Sequence, residues 1–162
     1  MENLYSPWRI DYILQENEDG CIFCKKPSEN DDKNLLILKR GEYTYIIMNL
    51  YPYNNAHLIV VPYSHKSNLS ELKDTEMLEM FKMVQLSEQV LTKVYHPDGF
   101  NIGLNLGKVA GAGIADHLHI HIVPRWLGDT NFISTIGQTR VIPERIEDTY
   151  NKLKYEFSKE DI

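Results

Sequence analysis

The residues best suited to chemistry in this chain of 162 residues are three histidines that fall within five positions, His117, His119 and His121. Successive side chains of a β-strand point to opposite faces, so a strand here would present all three imidazoles on one face and Leu118 and Ile120 on the other. Imidazole can attack phosphorus at neutral pH because a useful fraction of it carries no proton. The spacing therefore predicts a row of histidines that faces an extended anion such as a phosphate chain.

Two other uses of the histidine row compete with this interpretation. The outer Cα atoms would lie about 13 Å apart at roughly 3.3 Å per residue, so three rings on a regular strand cannot bind one tetrahedral zinc ion, although two of them can. The row can also be a polar strand face exposed to water, which is the usual explanation for a single histidine. Three histidines at alternate positions favour a role in binding or catalysis.

A loop rich in small residues, 107–113, precedes the histidines and contains glycines at 107, 111 and 113. Backbone N–H groups of such a loop can approach phosphate oxygens closely, so Gly111 and Gly113 are predicted to bind the substrate. The loop lacks the Gly-Lys-Ser/Thr ending of a P-loop. On its own it is a weak indication, because such segments are more often simple turns.

The two cysteines, Cys21 and Cys24, form a Cys-x-x-Cys pair. In a reducing compartment such a pair is more often a metal clip or a redox pair than a structural disulfide. A structural zinc ion needs four ligands, so the clip requires two more from elsewhere in the chain. A thioredoxin-like redox pair and two buried unligated thiols are the competing interpretations.

The histidines and cysteines must be positioned by a sheet and a long helix. Runs of β-branched and aromatic residues predict strands, whereas apolar residues at intervals of three and four predict an amphipathic helix. The predicted strands are 35–39, 43–49, 57–62, 100–106 and 117–123, and the predicted helices are 71–95 and 143–157. The polar segment 25–34, which follows the cysteines, is predicted to be a solvated loop. Arg40, Gly41 and Glu42 fit a hairpin turn between the first two strands. This order predicts an α+β domain with an antiparallel sheet of about five strands, one long helix and a C-terminal helix.

Composition limits the classes of partner. Residues 1–162 are 43% hydrophobic and 25% charged, with no repeat or linker, so we expect a single globular domain. The net charge of -6 argues against a nucleic-acid-binding surface, although it permits a local anion site. No apolar run is long enough for a membrane span, and no signal peptide is recognisable, so we expect no membrane partner and a cytoplasmic location.

The histidine pattern resembles that of a known family. His117 to Val123 has the His-x-His-x-His-x-x form with apolar residues at each x, which is similar to the histidine-triad (HIT) superfamily of nucleotidyl hydrolases and transferases. Asn49, the segment PYNNAHLIVVP and residues 98–103 add to the resemblance, which covers roughly residues 20–130 and leaves extensions at both ends.

Further residues resemble the bacterial diadenosine tetraphosphate phosphorylase-like branch of that family. They are Pro124, Arg125 and Trp126, the segment 128–132, and Trp8, Arg9 and Tyr12 near the N-terminus. Gly113 stands where the dinucleoside triphosphate hydrolases have glutamine, which counts against a hydrolase that uses water. The resemblance thus implies cleavage of a dinucleoside polyphosphate with inorganic phosphate as the acceptor.

The resemblance also implies a role for each site residue. His119 becomes the nucleotidylated intermediate, while its other ring nitrogen donates to the backbone carbonyl of His117. His121 binds phosphate and handles a proton. The implied substrate-binding residues are Asn49 at the ribose, Asn105 at the phosphate site and Trp126 near the nucleotide. The family further implies a HIT-like fold that pairs into a homodimer through its long helix and sheet.

Related proteins with an N-terminal Cys-x-x-Cys imply a structural zinc ion. Its ligands here would be Cys21, Cys24, His65 and His117, so zinc would anchor the histidine next to the nucleophile. His57 either lines the phosphate pocket or caps a strand. Two alternatives stay open: hydrolysis of an AMP-amide or aminoacyl-adenylate, and a zinc-containing nucleotide-binding protein without catalysis.

Overall fold

A five-stranded antiparallel sheet forms the centre of the described chain, which comprises residues 20–137 and 141–161 of a computed structural model. The strands are β1 (Ile37–Arg40), β2 (Thr44–Met48), β3 (Leu58–Pro62), β4 (Gly99–Gly103) and β5 (Ile120–Arg125), in the spatial order β1-β2-β3-β5-β4. The helices are α1 (Ile22–Lys25), α2 (Asp32–Leu35), α3 (Asp74–Tyr95), α4 (Phe132–Ile136) and α5 (Ile146–Phe157). Trp8, Arg9 and Tyr12 lie outside the described residues.

This architecture confirms the predicted α+β fold and its antiparallel sheet. The hairpin between β1 and β2 closes where the Gly41 N–H donates to the Thr44 carbonyl. The Glu79 carboxylate of α3 accepts from the N–H groups of Tyr43 and Thr44, so the long helix also secures the turn. None of the described helices is long and apolar enough to cross a membrane.

The two faces of the sheet bury different clusters of apolar side chains. One face packs on α3 and α5; the residues that it buries include Leu38, Ile46, Leu58, Val60, Ile120 and Ile122, together with Leu118 just before β5. The opposite face packs on Phe23 of α1, and its sheet residues are Ile37, Tyr45, Ile47, Ile59 and Val61. Leu118, Ile120 and Ile122 all lie in the first cluster, so the alternation places the intervening histidines on the face that carries α1.

The sequence predicted that the last strand begins at His117, but in the structure it begins at Ile120. Its pairing with β3 stops at the partners Val60 and Ile120. Beyond that point the Pro62 carbonyl lies 2.8 Å from Nε2 of His117, and the Leu118 N–H donates to the carbonyl of Lys66. Pro62 has no N–H to continue the ladder of backbone hydrogen bonds, so His117 bonds to this end of β3 through its side chain.

Candidate active site

His119 has one ring nitrogen fixed and the other available. Its Nδ1 lies 2.8 Å from the carbonyl oxygen of His117, which is the contact expected from the family resemblance. A carbonyl only accepts, so Nδ1 carries the proton and Nε2 keeps its lone pair. Burial lowers the pKa of His119, which favours this neutral form. Within the described residues Nε2 has no hydrogen-bond partner, and the ring lines a cavity.

His121 is held by a second histidine behind it. The Tyr53 backbone N–H donates to Nδ1 of His57 at 3.1 Å, so Nδ1 is an acceptor and the proton of the neutral ring is on Nε2. That Nε2 lies 3.0 Å from Nδ1 of His121, which therefore accepts. Burial lowers the pKa of His57 to about 3 and that of His121 to about 4. His121 is thus neutral, with an N–H at its free Nε2.

The loop that contains Tyr53 is anchored by residues at the end of β5 and just after it. Asn54 donates to the Pro124 carbonyl and to the Asp129 carboxylate at 3.0 and 2.8 Å. Asp129 also forms two hydrogen bonds with the Arg125 guanidinium, which holds the pKa of this carboxyl well below its usual range. The end of β5 and the segment that follows it in the chain therefore fix the loop that orients His57.

A cavity of about 250 Å³ opens beside the two free imidazole nitrogens. Its polar end contains His119, His121, Gly111 and Gly113, and the apolar remainder includes Ile22, Phe23, Ile47, Ile59 and Ile114. The rings of His119 and His121 are 4.8 Å apart between centroids, so both can contact one phosphate group. A polar end and an apolar slot together suit a phosphorylated molecule with a flat aromatic part.

The substrate residues predicted from the sequence are only partly brought together. Asn49 lines the cavity, and its side chain also accepts from the Tyr51 N–H and contacts His57. His57 lies behind His121 and does not line the cavity. Asn105 donates to the Gly111 carbonyl at 3.5 Å, which supports the loop. The Trp126 indole donates to the Tyr95 carbonyl at the end of α3, away from the cavity.

Several lining residues were missed by the sequence analysis. Ile22, Phe23 and Lys26 come from the turn that contains and follows the cysteine pair, which had been predicted as a solvated loop after Cys24. Phe23 contacts both His117 and His119, with ring centroids 5.6 and 5.0 Å apart. The sequence did contain an indication of this. Ile22 and Phe23 are apolar and stand between two candidate metal ligands, and a metal clip fixes the residues between its cysteines.

Cys21, Cys24, His65 and His117 converge on one point. Their ligand atoms all lie within 4.8 Å of one another, and Nδ1 of His65 is 3.3 Å from Nδ1 of His117. The Sγ atoms of Cys21 and Cys24 lie 3.2 and 3.5 Å from the same His117 nitrogen. Tetrahedral zinc separates neighbouring nitrogen and sulfur ligands by about 3.3 to 3.8 Å, so this set fits such an ion.

The second nitrogen of His117 supports the same interpretation. Nε2 donates to the Pro62 carbonyl at 2.8 Å, which leaves Nδ1 unprotonated and directed at the cysteines. Burial, together with the neighbouring Cys21 sulfur, raises the pKa of the Cys24 thiol to about 11. Both sulfurs must lose protons to bind a metal, so binding at this site would be favoured by higher pH.

The buried His57 predicts how stability depends on pH. Between pH 6.5 and 3 the unfolded chain binds a proton at this histidine that the folded protein does not, so acid lowers the unfolding free energy. The slope approaches about 1.4 kcal/mol per pH unit for one such group. We expect His57→Gln to reduce the slope between pH 6 and 4.5 by about that amount in denaturant unfolding. Parallel pH dependences for the variant and the wild type would contradict this prediction.

Comparisons with known proteins agree with this geometry. A model of the HIT domain family matches residues 30–126. The AP-4-A phosphorylase of Mycobacterium tuberculosis (strain H37Rv) is 39% identical over 169 residues, which cover 99% of this chain and 86% of that protein. The bis(5'-adenosyl)-triphosphatase of Saccharomyces cerevisiae (strain YJM789) is 34% identical over 91 residues, which cover 56% of this chain and 44% of that protein.

A solved structure is similar over most of the fold. The Zn-bound histidine triad family protein from Mycobacterium smegmatis superposes with a TM-score of 0.70 at 26% sequence identity. The superposition covers 86% of this chain and 94% of that one.

Proposed function

Since this chain belongs to the HIT domain family, we propose that it cleaves dinucleoside polyphosphates by transferring a nucleotidyl group to His119 and then to inorganic phosphate. The observation that carries the proposal is the difference between the two ring nitrogens of His119. Nδ1 is held by the His117 carbonyl, while the unprotonated Nε2 faces the cavity. This is the arrangement that an imidazole nucleophile requires.

The reaction divides into two displacements at the same phosphorus. Nε2 of His119 attacks the α-phosphorus, an N–P bond forms, and the bond to the bridging oxygen breaks to release a nucleoside triphosphate from a tetraphosphate substrate. An oxygen of inorganic phosphate then attacks that phosphorus, the N–P bond breaks, and a nucleoside diphosphate leaves. Water as acceptor would instead give a nucleoside monophosphate.

We propose that His121 binds the phosphate and donates a hydrogen bond to the leaving oxygen. Its Nε2–H is directed by the hydrogen bond from His57 to Nδ1. The pKa of His121 is low in the absence of an anion because the ring is buried. The hydrogen bond from Nε2 stabilises the charge that develops on the leaving oxygen, so the neutral ring does not have to release its proton.

Asn49, Gly111 and Gly113 are proposed to bind the nucleotide directly. All three line the cavity, and Asn49 directly follows the last residue of β2. Gly111 has a φ of 92°, a conformation that favours glycine and turns the loop backbone. Asn105 is proposed to support this loop. A contact of Trp126 with nucleotide is not supported by its position beside Tyr95.

A structural zinc ion at Cys21, Cys24, His65 and His117 completes the proposal. The ligand separations fit the ion, and the AP-4-A phosphorylase branch and the Zn-bound M. smegmatis protein belong to the same family. When bound, zinc holds its ligands in place and takes no part in the bonds that break. The backbone carbonyl that orients His119 belongs to one of those ligands, His117.

We also propose a homodimer. β4 is an edge strand whose residues Asn101, Ile102 and Gly103 are exposed. On α3, Leu78 and Phe81 leave 61% and 60% of their surface exposed, which is unusual for large apolar side chains on a helix packed against a sheet. Pairing would cover both features. Sedimentation at twice the chain mass supports the proposal, and a monomer at micromolar concentration contradicts it.

The nature of the acceptor is tested by the products. Diadenosine tetraphosphate incubated with and without inorganic phosphate is expected to yield ATP and ADP, with cleavage dependent on phosphate. ATP and AMP at a rate independent of phosphate would show hydrolysis and contradict the phosphorylase. Cleavage of adenosine phosphoramidate or an aminoacyl-adenylate, with none of the dinucleotide, would identify the alternative hydrolase. Tight nucleotide binding without any cleavage would favour a binding protein.

A further inference from the structure

The cavity floor is a row of side chains that crosses the sheet. Ile47, Ile59 and His121 are register partners on β2, β3 and β5. Adjacent strands lie about 4.8 Å apart, so the floor extends roughly 10 Å from His121 toward β1. The proposed function, on which this inference rests, places the α-phosphate at His119. The base of a bound nucleotide then extends along Ile59 and Ile47, away from the histidines.

Lys26 also lines the cavity. It follows Phe23 by three residues, so the two side chains share one face of the turn. Phe23 lies beside the His119 ring, with centroids 5.0 Å apart. The carbonyl of Pro27, the next residue after Lys26, accepts from the Arg40 guanidinium at the end of β1. The segment therefore runs over the sheet from the nucleophile toward β1.

The ammonium group of Lys26 has only a charge interaction, with Glu29, among the described residues. The side chain is half-buried, and across residues 20–137 and 141–161 it forms neither a hydrogen bond nor an ion pair. Lys66 and Lys154, which are also partly buried, bond to Glu76 and Asp32. A cationic donor that lines a cavity and has no hydrogen-bond acceptor among the described residues is a group that a ligand can satisfy.

We propose that Lys26 is a specificity residue that donates to the edge of a purine base and favours guanine over adenine nucleotides. An ammonium only donates. Guanine presents two neighbouring acceptors, N7 and O6, whereas adenine presents the acceptor N7 beside the N6 amino donor. A lysine at the base end can therefore donate to both acceptors of guanine, whereas the N6 amino group of adenine opposes it because both groups are donors.

The test compares matched substrates in matched variants. kcat/KM is measured with diguanosine and diadenosine tetraphosphate for the wild type, Lys26→Met, Lys26→Arg and Lys33→Met, the last being an exposed lysine of α2 that removes the same charge. We expect Lys26→Met to lower the guanine-to-adenine ratio about tenfold, as the loss of a charge-assisted hydrogen bond predicts. Lys26→Arg and Lys33→Met should keep the ratio within about threefold of the wild type.

Equilibrium binding of GMP and AMP separates this inference from the proposed function. A similar change in the ratio of the two Kd values requires no turnover, so it would support the role of Lys26 even in a protein that cleaves neither dinucleotide. An equal loss for both bases would overturn the role, because a group that binds phosphate or supports the fold does not distinguish bases. Unchanged ratios in both assays would overturn it as well. The ratio is insensitive to the amount of folded protein.

Discussion

Replacing His119 with alanine is expected to lower kcat for diadenosine tetraphosphate cleavage by roughly three to four orders of magnitude or more. The variant lacks the only nitrogen that we assign to attack on phosphorus, and no neighbouring ring can take its place. His121 is the nearest candidate, but its free nitrogen carries the proton because Nδ1 accepts from His57. The measurement is product formation at saturating substrate and phosphate.

Two controls separate chemistry from folding and binding. AMP should bind His119→Ala within about threefold of the wild-type Kd, because the apolar slot and the glycine loop stay in place. His96→Asn removes a histidine outside the cavity, at the end of α3, and asparagine tolerates the left-handed backbone with φ 47° there. It should keep full activity.

The intermediate gives an independent test of His119. Wild-type protein quenched during turnover should carry the mass of one nucleotidyl group, and His119→Ala should not. A loss of less than tenfold in kcat, or a nucleotidyl group attached to His119→Ala, would show that another residue is the nucleophile. The phosphorus chemistry assigned to the histidine row would then have to be abandoned.

The second large effect concerns the proposed zinc ion. Cys24→Ser removes one sulfur ligand, so we expect the zinc content to fall from about one ion per chain to less than about 0.2. At free zinc a thousandfold above Kd, the ion stabilises the folded protein by about 4 kcal/mol. Its loss should therefore lower the unfolding temperature by about 8 to 16 °C. Metal analysis and thermal unfolding measure the two quantities.

Activity should fall with the zinc. His117 would lose its fixed position, and with it the carbonyl that holds the His119 ring, so we expect kcat to decrease about ten- to a hundredfold. Wild-type protein treated with a chelator should show the same losses and recover both on addition of zinc. A metal-free wild-type protein with unchanged unfolding temperature and activity would reject the metal site.

The strands and the long helix could be predicted because their periodicity is set by burial on one face. The alternation at Leu118, Ile120 and Ile122 was sufficient to place the histidines together on the other face, and the structure has them there. The start of the last strand was predicted three residues early. Alternation continues through His117 although the ladder has ended, and a sequence pattern that reports burial cannot detect a missing backbone hydrogen bond.

The surroundings of the histidines could not be predicted in the same way. His57 lies 64 positions from His121, and its role depends on which ring nitrogen the Tyr53 N–H reaches. Residues 25–34 were predicted as a solvated loop because they are polar, yet they include the last residue of α1, the first three residues of α2 and Lys26 at the cavity. Polarity indicates contact with water or with a polar ligand, and the sequence does not distinguish the two.

The convergence of Cys21 and Cys24 on His117 also constrains how the site is built. The cysteines are 96 and 93 positions from that histidine, so a growing chain exposes both thiols long before their last partner has been synthesised. Closing so long a loop costs entropy that the intervening strands must already have offset by pairing. The nucleophile would therefore be aligned late, and a nascent chain would carry its reactive histidine without the orientation that makes it reactive.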